Sequence, residues 1–140
     1  MIAISACLLG LNCRYDGKNK RDDNLLREID CLRVIPFCPE VNILGSPREM
    51  IDLFKIDGKI VAIGSMSQRD YSDLIEREAK RFINFNPKID TFYMKAKSPS
   101  CALYSARVYD KDYNLIDNKS VGLFAKFLKI WYKEAKFIER

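Results

Sequence analysis

Two short apolar runs decide the reading of this chain: Met1–Ala6 (MIAISA), which breaks at Cys7, and Arg33–Phe37 (RVIPF), which is ended by Pro36 and by Pro39 after Cys38. Each has the length and character of a buried strand. Between them, Cys7–Lys20 carries Gly10, Asn12, Asp16, Gly17 and Asn19, the chemistry of turns. Asp22 or Asp23 can then cap a helix running to about Asp30, with Leu25, Leu26 and Ile29 at helical spacing. Strand, loop, helix, strand in that order predicts a parallel βαβ unit.

Working outward, Glu40–Glu49 reads as irregular because of Gly45 and Pro47. Ile51–Ile56 and Lys59–Ile63 flank Asp57-Gly58, a hairpin signature. Ser65 and Gln68 have the spacing of a capping box that would open a long helix, along which Tyr71, Leu74, Ile75, Ala79, Phe82 and Ile83 form one core-facing stripe until Pro87. Ile89–Met94 is a further strand, Lys95–Leu103 a loop at its C-terminal end, and Ser105–Tyr109 with Tyr113–Ile116 a second hairpin. A closing helix is expected over Val121–Ala135, with Trp131 in the core. The whole reads as α/β: a single domain over residues 1–140, a Rossmann-like, mostly parallel sheet flanked by helices, with one or two hairpins.

Composition narrows the chemistry. The chain has 140 residues, 48% hydrophobic and 31% charged, which suits a packed soluble core and excludes disorder. No apolar run approaches the ~20 residues of a bilayer span, and no basic leader precedes Ile2, so neither a membrane segment nor a signal peptide is expected. The net charge of +5 admits an anionic ligand. Much of it falls on Lys126, Lys129, Lys133 and Lys136, spaced as the wet face of a helix. There is no histidine, which removes the usual general base, the histidine-paired nucleophiles and imidazole metal ligands. Five cysteines without a CxxC pair argue against a disulfide framework, a zinc ribbon and a thioredoxin-like site, and point to a reducing, cytoplasmic setting.

Cys7, Cys38 and Cys101 each follow an expected strand, directly or within one loop. Ligand sites of open α/β sheets lie beyond the carboxyl ends of their strands, so these thiols would meet at one edge if the strands are parallel neighbours. Cysteines scattered in this way can hold an iron–sulfur cluster. Cys31, at the end of an amphipathic helix, reads as a packing residue. Polar neighbours gather at the same places: Arg14 and Asp16 beside Cys13, Glu40 two residues past Cys38, and Lys97, Ser98 and Ser100 before Cys101. The serines and Asp16-Gly17 can equally be read as turn residues.

Ser5-Ala6-Cys7-Leu8-Leu9-Gly10, Cys13-Arg14-Tyr15-Asp16-Gly17, Cys38-Pro39-Glu40, Pro47-Arg48 and Lys97-Ser98-Pro99-Ser100-Cys101 occur in this order. Together they resemble the bacterial and archaeal thiouracil desulfidase family over residues 4 to 101. The resemblance implies a 4Fe-4S cluster held by Cys7, Cys38 and Cys101, with one iron open to the substrate's sulfur. It implies Glu40 as the catalytic carboxylate and assistance from Ser98 or Ser100, and it leaves Cys13 near the site as a non-ligand. Arg14, Asp16, Arg48 and Lys97 are candidates for substrate binding, and Lys95 for orienting a polar edge. The chain departs from the family in Ala102 after the last cysteine, in a shortened Val41–Arg48 segment, and in Gly64–Gln68 before the long helix.

The activity so implied is non-redox desulfuration of a thiolated nucleobase such as 2-thiouracil, giving uracil and hydrosulfide. The rival reading is an iron–sulfur or zinc module acting in tRNA thiolation or sulfur trafficking, with thiolated tRNA as its partner. A structural zinc site would draw on Cys7, Cys13, Cys38 and Cys101.

Overall fold

The computed structural model describes residues 1–29 and 33–140. Eight strands form two four-stranded sheets. The first comprises β1 (Ile2–Ser5), β2 (Val34–Phe37), β5 (Thr91–Met94) and β8 (Lys136–Glu139) in the order β2-β1-β5-β8, every pair parallel. The second comprises β3 (Ile51–Ile56), β4 (Lys59–Gly64), β6 (Ala106–Tyr109) and β7 (Leu115–Ser120) in the order β4-β3-β6-β7. Its β3–β6 pair is parallel and its two outer pairs are antiparallel hairpins. The expected α/β architecture, mostly parallel and with two hairpins, is therefore present, divided between two sheets. Helices α1 (Asp23–Glu28), α2 (Pro39–Leu44), α3 (Ser72–Phe85) and α4 (Leu123–Trp131) complete the fold.

The βαβ order is present, with a shorter helix than expected and a correction at Pro36. Asp22 is the cap of α1, its side chain accepting from the Leu25 amide at 2.9 Å. Pro36 does not end β2 but lies inside it, tolerated because β2 is an edge strand whose outer side needs no donor. The packing assigned to Cys31 lies outside the described residues. In the first hairpin Asp57 and Gly58 both take positive φ, 50° and 78°, as a tight two-residue connection between right-twisted strands requires.

Four expectations need correction. The segment after Cys38 is not irregular at its start: Pro39 supplies a preset φ at the first position of α2, with Glu40 in the favourable first turn. Ser65 and Gln68 do not open α3. They belong to a turn in which the Gln68 side chain donates to the Ser65 carbonyl at 3.2 Å, while α3 starts beyond Asp70, whose carboxylate accepts from the Ser72 amide at 2.8 Å. The last helix stops at Trp131, and the chain re-enters the first sheet as β8. Trp131 is 61% exposed; Tyr132 turns inward instead, its hydroxyl donating to the Asn86 carbonyl.

The turn at 65–69 is clamped by Glu49, which accepts from the Ser67 hydroxyl and amide, the Tyr71 hydroxyl and the Met66 amide. Those donors, led by the Ser67 hydroxyl, favour the ionised form and hold the carboxyl at about 2, below its ordinary 4.5. A carboxylate with a depressed folded pKa stabilises above its unfolded value and loses that contribution as pH falls through the folded one. The advantage of wild type over Glu49→Gln in urea midpoint is thus expected to be full above pH 4.5 and to vanish toward pH 2. A gap independent of pH would show that the clamp works without its charge.

The core between the layers is aromatic. Phe37, Phe82, Phe92 and Phe124 meet with ring centroids 5.6–6.3 Å apart, and Phe137 of β8 stacks on Phe92 at 4.7 Å. Burial of this cluster from β2, α3, β5, α4 and β8 fixes the first sheet, and with it the C-terminal ends of β1, β2 and β5.

Candidate active site

Those three strand ends deliver the three expected thiols. Cys7 lies in a short 3-10 turn, Ala6–Leu9, directly after β1. Cys38 is the residue between β2 and α2. Cys101 sits in the loop that leaves β5. Ser5 and Phe37 are register partners, so Cys7 and Cys38 leave the sheet side by side. All three thiols line one cavity of about 490 Å³, together with Cys13, Glu40, Arg48 and Ser98. Cys7, Cys13 and Cys101 are buried, and all four cysteines are free.

Cys13 is the neighbour that the sequence reading placed close by but gave no role. The Cys38 thiol donates to the Cys13 carbonyl at 3.6 Å. The Cys13 S–H, offered toward its neighbouring thiols, lowers Cys7, against the opposing effect of burial. It also lowers Cys38, helped by the Val41 amide and Arg48, to about 7. The Cys13 proton is correspondingly hard to remove. Cys101 is pushed up, mainly by burial and then by the charges of Cys38 and Glu40, although Ser5 bonds to its sulfur. Ser5 is a site residue that the sequence reading missed: 2% exposed, it also accepts from the Lys95 amide at 3.0 Å and so ties β1 to the loop after β5.

Glu40 is 8% exposed, in the first turn of α2. The Ser100 hydroxyl donates to its Oε2 at 2.9 Å, and Arg48 Nε lies 3.5 Å from its Oε1. The two serines thereby separate. Ser100 is fully buried against Glu40, whereas the Ser98 Oγ accepts from the Ser100 and Cys101 amides at 3.2 and 2.9 Å and shapes the loop. Arg14, Lys20, Lys95 and Lys97 stand at the wall and mouth of the cavity, and none of them pairs with a carboxylate among the described residues. Lys95 is lowered by burial, offset by the charge of Cys7. Asp16 is not brought in: it is exposed, accepts from the Lys18 amide at 3.0 Å, and does not line the cavity.

The 98–102 loop is held from behind by the start of α4. The Leu123 and Ala125 amides donate to the carbonyls of Pro99 and Ser100, both at 2.9 Å, and Gly122 donates to Ala102 at 2.7 Å. A Cβ on Gly122 would sit 2.5 Å from the Ser100 carbonyl carbon and oxygen and 2.8 Å from the Cys101 amide, which are backbone atoms with little room to yield. Gly122→Ala is expected to cost about 3 kcal/mol, the upper part of the range for overpacking. Chemical denaturation measures this, and a loss below about 0.5 kcal/mol would mean that the loop is not seated as described.

An α/β sheet whose strand ends gather thiols, a buried carboxylate and a hydroxyl around one cavity has the architecture of an enzyme site. The chain belongs to the 2-thiouracil desulfurase family, whose model matches residues 2–136, a family of enzymes that remove sulfur from carbon. It is 27% identical over 139 residues to the uncharacterized protein YbbK of Bacillus subtilis strain 168, across 92% of this chain and 89% of that one. Among solved structures it is similar to the 4Fe-4S-dependent thiouracil desulfidase TudS, with a TM-score of 0.75 and 26% identity over 99% of this chain and 89% of the other.

Proposed function

We propose that this protein hydrolyses the carbon–sulfur bond of a thiolated nucleobase such as 2-thiouracil, giving uracil and hydrosulfide, with a 4Fe-4S cluster held by Cys7, Cys38 and Cys101. The observation that carries the reading is the convergence of these three thiols, from three separate strand ends, on the cavity that also receives Glu40. The donor set fits the group. Thiolate is the normal ligand of such clusters, and Cys7 and Cys38 are both biased toward that form.

When bound, the cluster would supply a Lewis acid toward a thiocarbonyl sulfur. The protein's own part is positional and protolytic. Glu40 takes a proton from the water that attacks the thiocarbonyl carbon. Ser100 keeps one carboxylate oxygen occupied, so that the other is presented to the water. The cationic mouth formed by Arg14, Lys20, Lys95 and Lys97 suits a polar or anionic substrate edge and the departing hydrosulfide. In sum, the thiocarbonyl and one water become a carbonyl and one hydrogen sulfide, with no change in electron count. Four free cysteines accord with work in the reducing cytoplasm. Among the described residues no helix is long and apolar enough to cross a membrane.

The test is an anaerobic assay of uracil and sulfide with cluster-loaded protein and no reductant. One sulfide per uracil is expected. Product that appears only with stoichiometric dithionite would overturn the hydrolytic reading. Tight binding of thiolated tRNA without turnover of any thio-base would favour a role in tRNA thiolation.

A further inference from the structure

Arg48 is a buried charge held at several points. Its side chain is 5% exposed, and its Nη1 donates to the Cys13 carbonyl at 2.7 Å and to the Gly45 carbonyl at 3.0 Å. Its Nε is buried without a hydrogen-bond partner, 3.5 Å from Glu40 Oε1. A buried guanidinium N–H left unpaired is costly, and the geometry leaves one protein acceptor in front of it. The other oxygen of that carboxylate is already taken by Ser100.

We infer that Arg48 is a positioning residue for Glu40: its guanidinium, anchored on the Cys13 and Gly45 carbonyls, fixes the carboxylate from the side opposite Ser100. The inference rests on the proposed role of Glu40 and assigns Arg48 away from the substrate. The planar fork is what the place requires. One edge locks onto two carbonyls while Nε faces the carboxylate, a division that the single point charge of lysine cannot reproduce. Arg48 also ties Glu40 to the cysteines, since the Cys13 carbonyl it holds accepts from the Cys38 thiol as well, at 3.6 Å. A small displacement of a base from its water is enough to cost on the order of 100-fold in rate.

The experiment compares wild type with Arg48→Gln, Arg48→Lys, Glu40→Gln and the Arg48→Gln/Glu40→Gln double variant, reading iron content, cluster absorbance, kcat, KM and uracil affinity. Arg48→Gln is expected to keep iron, absorbance, KM and uracil affinity while kcat falls on the order of 100-fold. Arg48→Lys, which retains the charge and most of the bulk, is expected to fold normally and recover only part of that rate. In the Glu40→Gln background the Arg48 change is expected to cost nothing further, because a residue acting through Glu40 has nothing left to act on. An additional loss in the double variant, a raised KM or weakened uracil binding with kcat intact, or wild-type kcat in Arg48→Gln or Arg48→Lys would each overturn the inference while leaving Glu40 in place. A fully active Glu40→Gln would overturn the role of Glu40 and this inference with it.

Discussion

Serine at position 7, 38 or 101 is expected to leave a protein that folds but holds no stable iron–sulfur cluster and releases no sulfide. Each thiol comes from a different strand end, and among the described residues no fourth segment stands ready to replace it: Cys13, the remaining cysteine of the cavity, hangs from the loop after Cys7 and is fixed by the contacts of its carbonyl. A hydroxyl is a hard, weakly acidic donor and does not substitute for thiolate at such a cluster. Iron and acid-labile sulfide analysis after anaerobic reconstitution measures the loss, with circular dichroism confirming the fold. Cys13→Ser provides the contrast. It is expected to retain iron, because its contacts are with the other thiols. Equal iron loss in all four variants would show that the set of three is wrongly chosen.

The second large effect belongs to Glu40. Glu40→Gln preserves the volume and can still accept from Ser100, but it removes the proton acceptor. Loss of a positioned general base costs about 10²- to 10⁴-fold. The cluster spectrum and the substrate-induced change in it are expected to persist while turnover collapses, so binding and chemistry separate. Turnover within a factor of a few of wild type would place the base elsewhere in the cavity.

Much of this was legible in the chain itself. The βαβ order, both hairpins and the placing of Cys7, Cys38 and Cys101 at one sheet edge follow from apolar runs broken by thiols and from turn residues. The roles proposed for Glu40, Cys7, Cys38 and Cys101 rest on resemblance of motifs. What stayed hidden has physical reasons. Strand β8 is four residues, Lys-Phe-Ile-Glu, and Lys136 continues the helical spacing of Lys126, Lys129 and Lys133, so local pattern favoured a longer helix. Pairing with β5 and the stacking of Phe137 on Phe92, both contacts between distant segments, decide for a strand. Trp131 and Tyr132 are adjacent aromatic residues, and the exact phase of α4 determines which one is buried. Ser65 and Gln68 have the right spacing for a cap, but Glu49, just before β3, takes the Met66 and Ser67 amides and closes a turn there instead. Ser98 and Ser100 were indistinguishable in sequence because their difference lies in what each hydroxyl faces across the loop.

The position of β8 bears on when the protein can become active. Residues 136–139 pair with β5, the strand that leads to Cys101, and Glu139 accepts from the Leu103 and Tyr104 amides at 2.7 and 3.1 Å, just past that cysteine. Cys7 and Cys38 are synthesised about a hundred residues or more ahead of this brace. A nascent chain therefore exposes Cys7, Cys13 and Cys38 while the third corner of the site has yet to be built. The site is in consequence complete only once residues 136–139 have paired with β5, and until then the early thiols depend on a reducing environment to stay unpaired.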